Sequence, residues 1–138
     1  MTQSFAKLRL PGSLRAMTAR SVARWHALGR LVLGGGLIAA PGPVAGGWVG
    51  EVADKPAGRA VVVGFGARDV GIALGELGAL RSGRGARPWL RAAMLADAAD
   101  LVATLRARDS LPSLAMPVVA AMAGGSVVLA AWLHVALD

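Results

Sequence analysis

Residues 64–76 read Gly64-Phe65-Gly66-Ala67-Arg68-Asp69-Val70-Gly71-Ile72-Ala73-Leu74-Gly75-Glu76, which places three charged side chains inside an apolar segment. A charge within a membrane-spanning helix costs about 2.5–3.5 kcal/mol on insertion scales, so such residues usually face other helices and are paired. A second segment repeats the pattern with Asp97 and Asp100. Together the two segments predict an all-α membrane bundle with a polar interior.

The composition is typical of an integral membrane protein. Hydrophobic residues make up 55% and charged residues 17% of the 138 positions, whereas soluble domains carry about 25% charged residues. Mean hydropathy is +0.56, and glycine, which is frequent in membrane helices, occurs 19 times. The length leaves room for one domain.

Few side chains suited to catalysis or metal binding are present. The chain has no cysteine, which excludes disulfides, thiolate metal ligands and cysteine nucleophiles. His26 and His134 lie at opposite ends of the sequence, and no histidine–carboxylate cluster has metal-ligand spacing. Ser126 and Thr104 are far in sequence from either histidine, so a hydrolase triad has little support. We expect no catalytic residue, metal or cofactor, and we interpret both histidines as interfacial residues.

Four apolar segments follow a basic tail, residues 1–20, and form a predicted transmembrane domain over 21–138. The first segment is expected to be an uncleaved helix rather than a signal peptide, because a long basic region precedes it and three more apolar segments follow. Residues 41–50 are expected to form an interfacial turn or a short helix. The predicted helices cover about 22–40, 59–80, 89–107 and 114–137.

Basic residues are concentrated on one side of the predicted bundle. Of the side chains that give the net charge of +7, ten Lys and Arg lie in the tail, the start of the first segment and the 81–91 loop, and four lie in the other two loops. The positive-inside rule then predicts a multi-pass protein of the bacterial inner membrane with both termini cytoplasmic. The tail is expected to contact anionic lipid headgroups. Because the charges flank apolar segments and no nucleic-acid-binding motif is visible, we expect no nucleic-acid partner.

Charged residues within the predicted spans form a candidate charged seam. From its depth along its helix, Arg68 is expected to pair with Asp100 or Asp97, which lie on one helix face. Arg30 is expected to form a second pair with Glu76. The seam residues are Arg30, Arg68, Asp69, Glu76, Asp97 and Asp100.

The seam contains more carboxylates than arginines. Asp69 is expected to point away from Arg68 by about 100°, toward the side of Glu76. With two bases against four acids, two carboxylates are expected to be protonated, hydrogen-bonded or exposed to an aqueous cavity. The seam is interpreted as a packing lock, with a proton or ligand site and a contact with another subunit as the alternatives.

Small residues recur on the second predicted helix at spacings of three, four and seven, which predicts a helix-packing face. Such a face lets another helix approach closely, within the chain, in a membrane-protein partner or in a homo-oligomer. The face is formed by Gly64, Gly71, Gly75 and Gly78.

Several motifs resemble those of small actinobacterial four-helix membrane proteins of unknown function, which are similar to the DoxX-like group. The motifs are Gly29-Arg30-Leu31, Ala40-Pro41, Trp48-Val49-Gly50, Gly66-Ala67-Arg68-Asp69 with Gly71 and Leu74-Gly75, and Ala96-Asp97-Ala98-Ala99-Asp100. The resemblance covers about residues 25–137 and implies an integral four-helix bundle. DoxX relatives have been linked to quinone-coupled or oxidative-stress roles, and that function is not carried over, because this chain has no cysteine or visible redox motif.

These observations predict a non-enzymatic accessory or scaffold subunit of the membrane. The alternative is a proton-linked carrier or channel for a small solute that uses the intramembrane carboxylates, and the third hypothesis is a quinone- or lipid-linked membrane enzyme. A scaffold requires fully paired charges and no cavity, whereas a carrier requires a pocket that reaches Asp97 or Asp100.

Overall fold

The computed structural model describes the backbone of residues 12–137 and the side chains of residues 17–137. This part of the chain is helical with short connections and contains no strand, so the predicted all-α class is confirmed. The predicted contact of the basic tail with lipid headgroups falls largely on residues 1–11, which lie outside the described residues.

Five helices form the fold. Two 3-10 turns, Gly50–Asp54 and Arg108–Ser110, lie in the connections, and a π-helical turn over Ala120–Gly124 interrupts the last helix. The helices are α1 (Gly12–Ala39), α2 (Pro41–Val49), α3 (Pro56–Ser82), α4 (Arg87–Ala107) and α5 (Ala115–Ala136).

Helix boundaries follow the prolines. Pro41, Pro56 and Pro88 each lie in a first helical turn, where the absence of an amide hydrogen loses no helical bond. Residues 41–50, which the sequence left undecided, are helical as far as Val49. The first helix begins at Gly12, well before the predicted start near residue 22, because Ala19 and Ala23 are buried in the bundle.

The four long helices run alternately up and down. Helix α1 packs along α3, α4 packs along α5, and contacts between α1 and α5 and between α3 and α4 close the bundle. The direction of the chain changes by 104° between α1 and the α2 segment, so α2 lies across one end of the bundle. We call this the α2 end, and the opposite one the 83–86 end after the loop between α3 and α4.

Apolar side chains are buried at both ends of the bundle. At the 83–86 end, Ala23, Leu90 and Leu133 are fully buried members of an apolar cluster. At the α2 end, Leu37 and Val62 pack with small residues of α2 and the first 3-10 turn. Between these clusters the interior is largely occupied by the charged side chains of the candidate site.

Two helix backbones approach each other closely at Gly34 of α1 and Gly66 of α3. A Cβ atom on Gly34 would lie 2.7 Å from Gly66 O, and one on Gly66 would lie 2.6 Å from Gly34 O. These distances are too short for any side chain, so α1 and α3 need glycine at both positions.

The predicted glycine face of α3 is largely on the outside of the bundle. Gly64, Gly71 and Gly78 have no described atom within 4 Å of an added Cβ, so among the described residues they do not pack against another helix of this chain, the first of the three alternatives. Gly75 does pack inward, against the ring of Trp89. Spacing alone misled here because Gly66, two residues after Gly64, lies on the opposite face of α3.

Large apolar side chains cover the outside of the bundle between its two ends. Every charged side chain that is exposed in the described residues lies near one end, and those between the ends point inward. The exposed apolar residues include Leu28, Val32, Ile38, Val61, Leu74, Leu95, Val102, Val118, Met122 and Val128.

Among the described residues, one helix is long and apolar enough by itself to cross a membrane, Ala115–Ala136. The bent pair Met17–Ala39 and Pro41–Asp54 raises the number to two if it is counted as one span. The central parts of α3 and α4 each carry several charges, which lowers their average apolarity. The all-α class is therefore established, and four membrane spans are not.

Candidate functional site

Charged and polar side chains from all four long helices meet halfway along the bundle. Two arginines and three aspartates form the part toward the α2 end, which we call the arginine cluster. A histidine, a glutamate and a serine form the part toward the 83–86 end, which we call the histidine group. The arginine cluster contains Arg30, Arg68, Asp69, Asp97 and Asp100, and the histidine group contains His26, Glu76 and Ser126.

Arg68 pairs with Asp100, one of its two expected partners. Its Nη1 and Nη2 donate to the two carboxylate oxygens of Asp100 at 2.9 and 2.7 Å, a bidentate arrangement. Its Nε and Nη2 also donate to Asp69 Oδ1 at 3.1 and 3.0 Å. Asp69 does lie on the buried face of Glu76, as expected, but the offset of about 100° does not separate it from Arg68, because the long arginine side chain folds back onto its neighbour. The guanidinium carbon lies 5.2 Å from the centre of the Phe65 ring.

Arg30 lies between two aspartates from different helices. Its Nη1 donates to Asp69 Oδ1 at 2.9 Å, and its Nη2 makes a short hydrogen bond to Asp97 Oδ2. The expected pair of Arg30 with Glu76 is wrong. Arg30 extends toward the α2 end to reach Asp69, seven residues before Glu76, and so joins α1, α3 and α4 at one point.

Glu76 pairs with His26, a residue that the sequence assigned to the membrane interface. His26 Nδ1 lies 3.1 Å from Glu76 Oε2 and His26 Nε2 lies 3.1 Å from Ser126 Oγ. The interfacial interpretation of His26 is wrong, and its signal was its spacing of four from Arg30, which puts both residues on one face of α1. Ser126 lies on α5, and no spacing in the sequence brings it to His26.

A tautomer assignment follows from these partners. Because Glu76 is fully buried and its carboxylate accepts hydrogen bonds, the proton of neutral His26 belongs on Nδ1. The Nε2 atom is then free to accept the Ser126 hydroxyl hydrogen. Arg30 Nη2 lies 3.3 Å from Ser126 Oγ and donates to it, so the serine oxygen links the histidine group to the arginine cluster.

The network carries excess negative charge. Four carboxylates face two arginines, which leaves two negative charges with neutral His26 and one with protonated His26. Helix α5 contributes no charged group, only Ser126. One donor within the network also lacks an acceptor among the described residues, since Arg30 Nε is buried without a hydrogen bond.

A cavity of about 560 Å³ lies against this network. Its wall is mostly apolar, and its charged side is formed by Arg30, Arg68 and the three aspartates of the arginine cluster. His26 and Ser126 also line it, whereas Glu76 lies behind His26. The volume is within the range of pockets that bind drug-sized molecules, about 300–1,000 Å³.

The mouth of the cavity lies between α1 and α5, below α2. The lining residues that are exposed belong to these three helices or, in the case of Leu114, directly precede α5, whereas the lining residues of α3 and α4 are at least partly buried. The mouth therefore opens along the apolar side of the bundle and extends to α2 at one end. The exposed lining residues are Trp25, Gly29, Val44, Gly47, Leu114, Val118 and Met122.

The wall of the cavity at the α2 end is held in place by Trp48. Its indole Nε1 donates to Thr104 Oγ1 at 2.9 Å, and the Thr104 hydroxyl donates to the carbonyl oxygen of Asp100 at 2.7 Å. The Trp48 ring also packs 5.5 Å from the ring of Phe65. This chain of contacts fixes α2 to the turn of α4 that carries Asp100.

Within the described residues, no three His, Asp or Glu side chains are placed to hold a metal ion together. The comparisons with protein families, curated proteins and solved structures give no match to this chain. The resemblance to the DoxX-like group therefore stays a prediction.

Proposed function

We propose that this protein is an integral membrane protein whose cavity takes up a lipophilic molecule from the bilayer, in the manner of a carrier. Four helices, α1, α3, α4 and α5, would cross the membrane. The distribution of side chains along the middle of the bundle supports this proposal, because large apolar side chains are exposed there and the charged side chains point inward, the reverse of the pattern in a soluble protein. Intramembrane charges that pair inside a bundle avoid the cost of contact with lipid.

Helix lengths support the same proposal. The 21 residues of α4 and the 27 residues of α3 correspond to about 31 and 40 Å, and a bilayer has a hydrocarbon core of about 30 Å. The charges that lower the mean hydropathy of α3 and α4 belong to the internal network. Their outward faces are apolar along the middle of the bundle.

The charge distribution of the ends supports an orientation with both termini in the cytoplasm of a bacterium. The exposed charges at the 83–86 end are all basic in the described residues, whereas acidic and basic side chains are mixed at the α2 end. Single cysteines at Ser82, Ala57 and Ser110 test this orientation, since the natural chain has no cysteine. An impermeant thiol reagent should label positions 57 and 110 in whole cells and not position 82, and the reverse pattern would overturn the orientation.

The lateral mouth of the cavity is the observation that carries the proposed function. A molecule dissolved in lipid would meet the opening between α1 and α5 directly and could place a polar group beside Asp97, Asp100 and Ser126. The excess of carboxylates over arginines in the network favours a neutral or cationic polar group over an anionic one. A carrier thus agrees better with the geometry than a scaffold, which needs no cavity.

Tryptophan fluorescence can test ligand uptake, because Trp25 and Trp48 line the cavity and Trp89 and Trp132 do not. A variant with Trp89→Phe and Trp132→Phe would report on the cavity. The probes are tetraphenylphosphonium and tetraphenylborate, a cation and an anion of nearly the same size and shape. We expect a saturable fluorescence change with the cation and a weaker one with the anion.

Two glycine substitutions provide a matched control for this assay. Gly29 lines the cavity and Gly71 lies on the outside of α3, and neither has a described atom within 4 Å of an added Cβ. Gly29→Phe should abolish the fluorescence change by filling the cavity, and Gly71→Phe should preserve it. If neither probe binds saturably, the proposed ligand uptake is overturned. If the anion binds more strongly than the cation, only the charge argument is overturned.

Both arginines of the network form ion pairs, which supports a second candidate, a scaffold in which the network locks the helices. A double-mutant cycle on Arg68 and Asp100 separates the two candidates. Arg68→Met alone should destabilise the bundle, and the addition of Asp100→Leu should recover part of the loss, with a coupling of about 0.5–3 kcal/mol. A stable double variant that still binds tetraphenylphosphonium would assign the pair to packing alone.

A further inference from the structure

The histidine group has the connectivity of a catalytic triad. A hydroxyl, an imidazole and a carboxylate follow one another, with 3.1 Å from Ser126 Oγ to His26 Nε2 and 3.1 Å from His26 Nδ1 to Glu76 Oε2. Both distances lie within the range of about 2.6–3.2 Å expected for a nucleophile, its base and the group that orients the base. Such triads are recognised by geometry and not by sequence position, which is why the sequence did not connect residues 26, 76 and 126 with one another.

The placement of the three side chains also matches a triad. Ser126 and His26 line the cavity, where a substrate would reach them, and Glu76 is fully buried behind His26. Two residues before Ser126, the π-helical turn Ala120–Gly124 ends. Turns of this kind change the register of the helix that follows and are frequent at functional sites.

Arg30 adds a positive charge next to the nucleophile. Its Nη2 lies 3.3 Å from Ser126 Oγ, so an oxyanion that forms on a carbonyl group bonded to Ser126 would develop beside the guanidinium. Its Nε–H group has no acceptor among the described residues. Fixed donors and charges aimed at a developing oxyanion supply a large part of the rate enhancement in acyl transfer.

From this geometry we propose that Ser126, His26 and Glu76 form an acyl-transfer site that cleaves a lipophilic ester bound in the cavity. Ser126 and His26 are the catalytic residues, and Glu76 is a positioning residue that holds His26 in the required tautomer. The substrate is an ester with a long apolar part and no negative charge near the carbonyl group. This inference uses the cavity of the proposed function but does not depend on transport.

The reaction proceeds in two stages. Ser126 Oγ forms a bond to the carbonyl carbon while its proton passes to His26 Nε2, and the bond from that carbon to the alcohol oxygen then breaks as this oxygen takes the proton from His26. Water is the second substrate. It gives a proton to His26 and attacks the acyl carbon, and Ser126 leaves with the proton that His26 returns.

An alkyl fluorophosphonate tests the site in the folded protein in lipid vesicles. The serine oxygen forms a bond to phosphorus and fluoride leaves, while the serine proton passes to His26, so labelling needs the same nucleophile and base. We expect intact mass spectrometry and peptide mapping to find one label on Ser126. Ser126→Ala should abolish labelling, and Ser82→Ala, which changes an exposed serine at the end of α3, should not affect it.

The labelling rate distinguishes a catalytic group from a structural one. His26→Gln should slow labelling of Ser126 at least about 100-fold, the lower limit for loss of a general base. Glu76→Gln should lower the maximal labelling rate and leave the probe concentration at half-maximal rate unchanged, because Glu76 does not touch the probe. A purely structural role of Glu76 would change both values or neither.

Three results would overturn the inference. They are no label on Ser126 of the folded wild-type protein, label on Ser126 only after heat denaturation, and equal labelling rates for the wild type and His26→Gln. The wild-type result is decisive even if a variant does not fold. Tetraphenylphosphonium binding with no labelling would reject the acyl-transfer site and leave the proposed uptake of ligands intact, whereas loss of binding with labelling preserved would do the opposite.

Discussion

The two faces of α3 differ in the properties that decide where a helix can lie. Its inner face carries Gly66, Asp69 and Glu76, all buried, and the outer face carries Gly64 and Leu74, both exposed. The inner face makes ion pairs and a close backbone crossing with α1, while the outer face contacts nothing in the described chain at its glycines. The average hydropathy of such a helix describes neither face, because it adds an apolar surface to a charged one.

The largest loss of stability is expected when Arg30, the arginine of α1 that pairs with the inner face of α3, is removed. Arg30→Met would leave Asp97 without an arginine and Asp69 with Arg68 alone. Breaking a buried ion pair typically costs about 3–5 kcal/mol, because the remaining charge is buried without compensation. Unfolding of the detergent-solubilised protein by denaturant measures the loss.

Arg59→Met provides the control, because Arg59 is an exposed arginine on α3 and makes no ion pair with another described residue. A change below about 0.5 kcal/mol is expected for such a surface substitution. If Arg30→Met were equally mild, the arginine cluster would contribute no net stability and the comparison of the two faces would lose its energetic basis.

A charge on the outer face should be the next most harmful change. Leu74 is exposed midway along the bundle, so Leu74→Lys would place an ammonium group in lipid if α3 spans the membrane. The expected cost is about 2.5–3.5 kcal/mol of insertion free energy. The fraction of protein that resists alkaline extraction from membranes should fall, with Leu74→Met as the control. An unchanged fraction would contradict the proposal that this face contacts lipid.

The sequence predicted the part of this architecture that depends on periodicity. Apolar segments bounded by prolines and charged loops located the four long helices, and depth along those helices located Arg68 opposite Asp100. These features follow from the rise per residue and the number of residues per turn, which are the same in every α-helix.

The remaining contacts depend on how helices rotate about their axes and how far side chains reach. Arg30 contacts Asp69 and not Glu76, although both lie on the inner face of α3. Ser126 reaches His26 across 100 positions after a π-helical turn that no spacing reveals. Packing at Gly34 and Gly66 fixes how α1 and α3 are rotated toward each other. The side-chain contacts that result can therefore be determined only from the assembled bundle.

Two glycines two residues apart test the faces directly. Gly66→Ala would force a methyl group against Gly34 O and should cost about 1–3 kcal/mol by overpacking. Gly64→Ala meets open space and should be neutral or stabilising by up to about 1 kcal/mol, because alanine favours a helix over glycine. Denaturant unfolding of the two variants measures the change in the free energy of unfolding that each causes. Equal effects would mean that the crossing at Gly34 and Gly66 is looser than described.

The smallest effect is expected when the outer glycines are replaced together. In the triple variant Gly64→Ala, Gly71→Ala and Gly78→Ala, every added methyl group points away from the described chain, so the monomer should be as stable as the wild type or more stable. The sequence predicts that such a face allows close contact with a second copy or another membrane protein. Cross-linking in native membranes reads out that contact independently of stability. If a cross-linked dimer of the wild type is lost in the triple variant, the outer face is a contact between protein chains. If the wild type and the triple variant give the same cross-linking pattern, the outer face contacts only lipid.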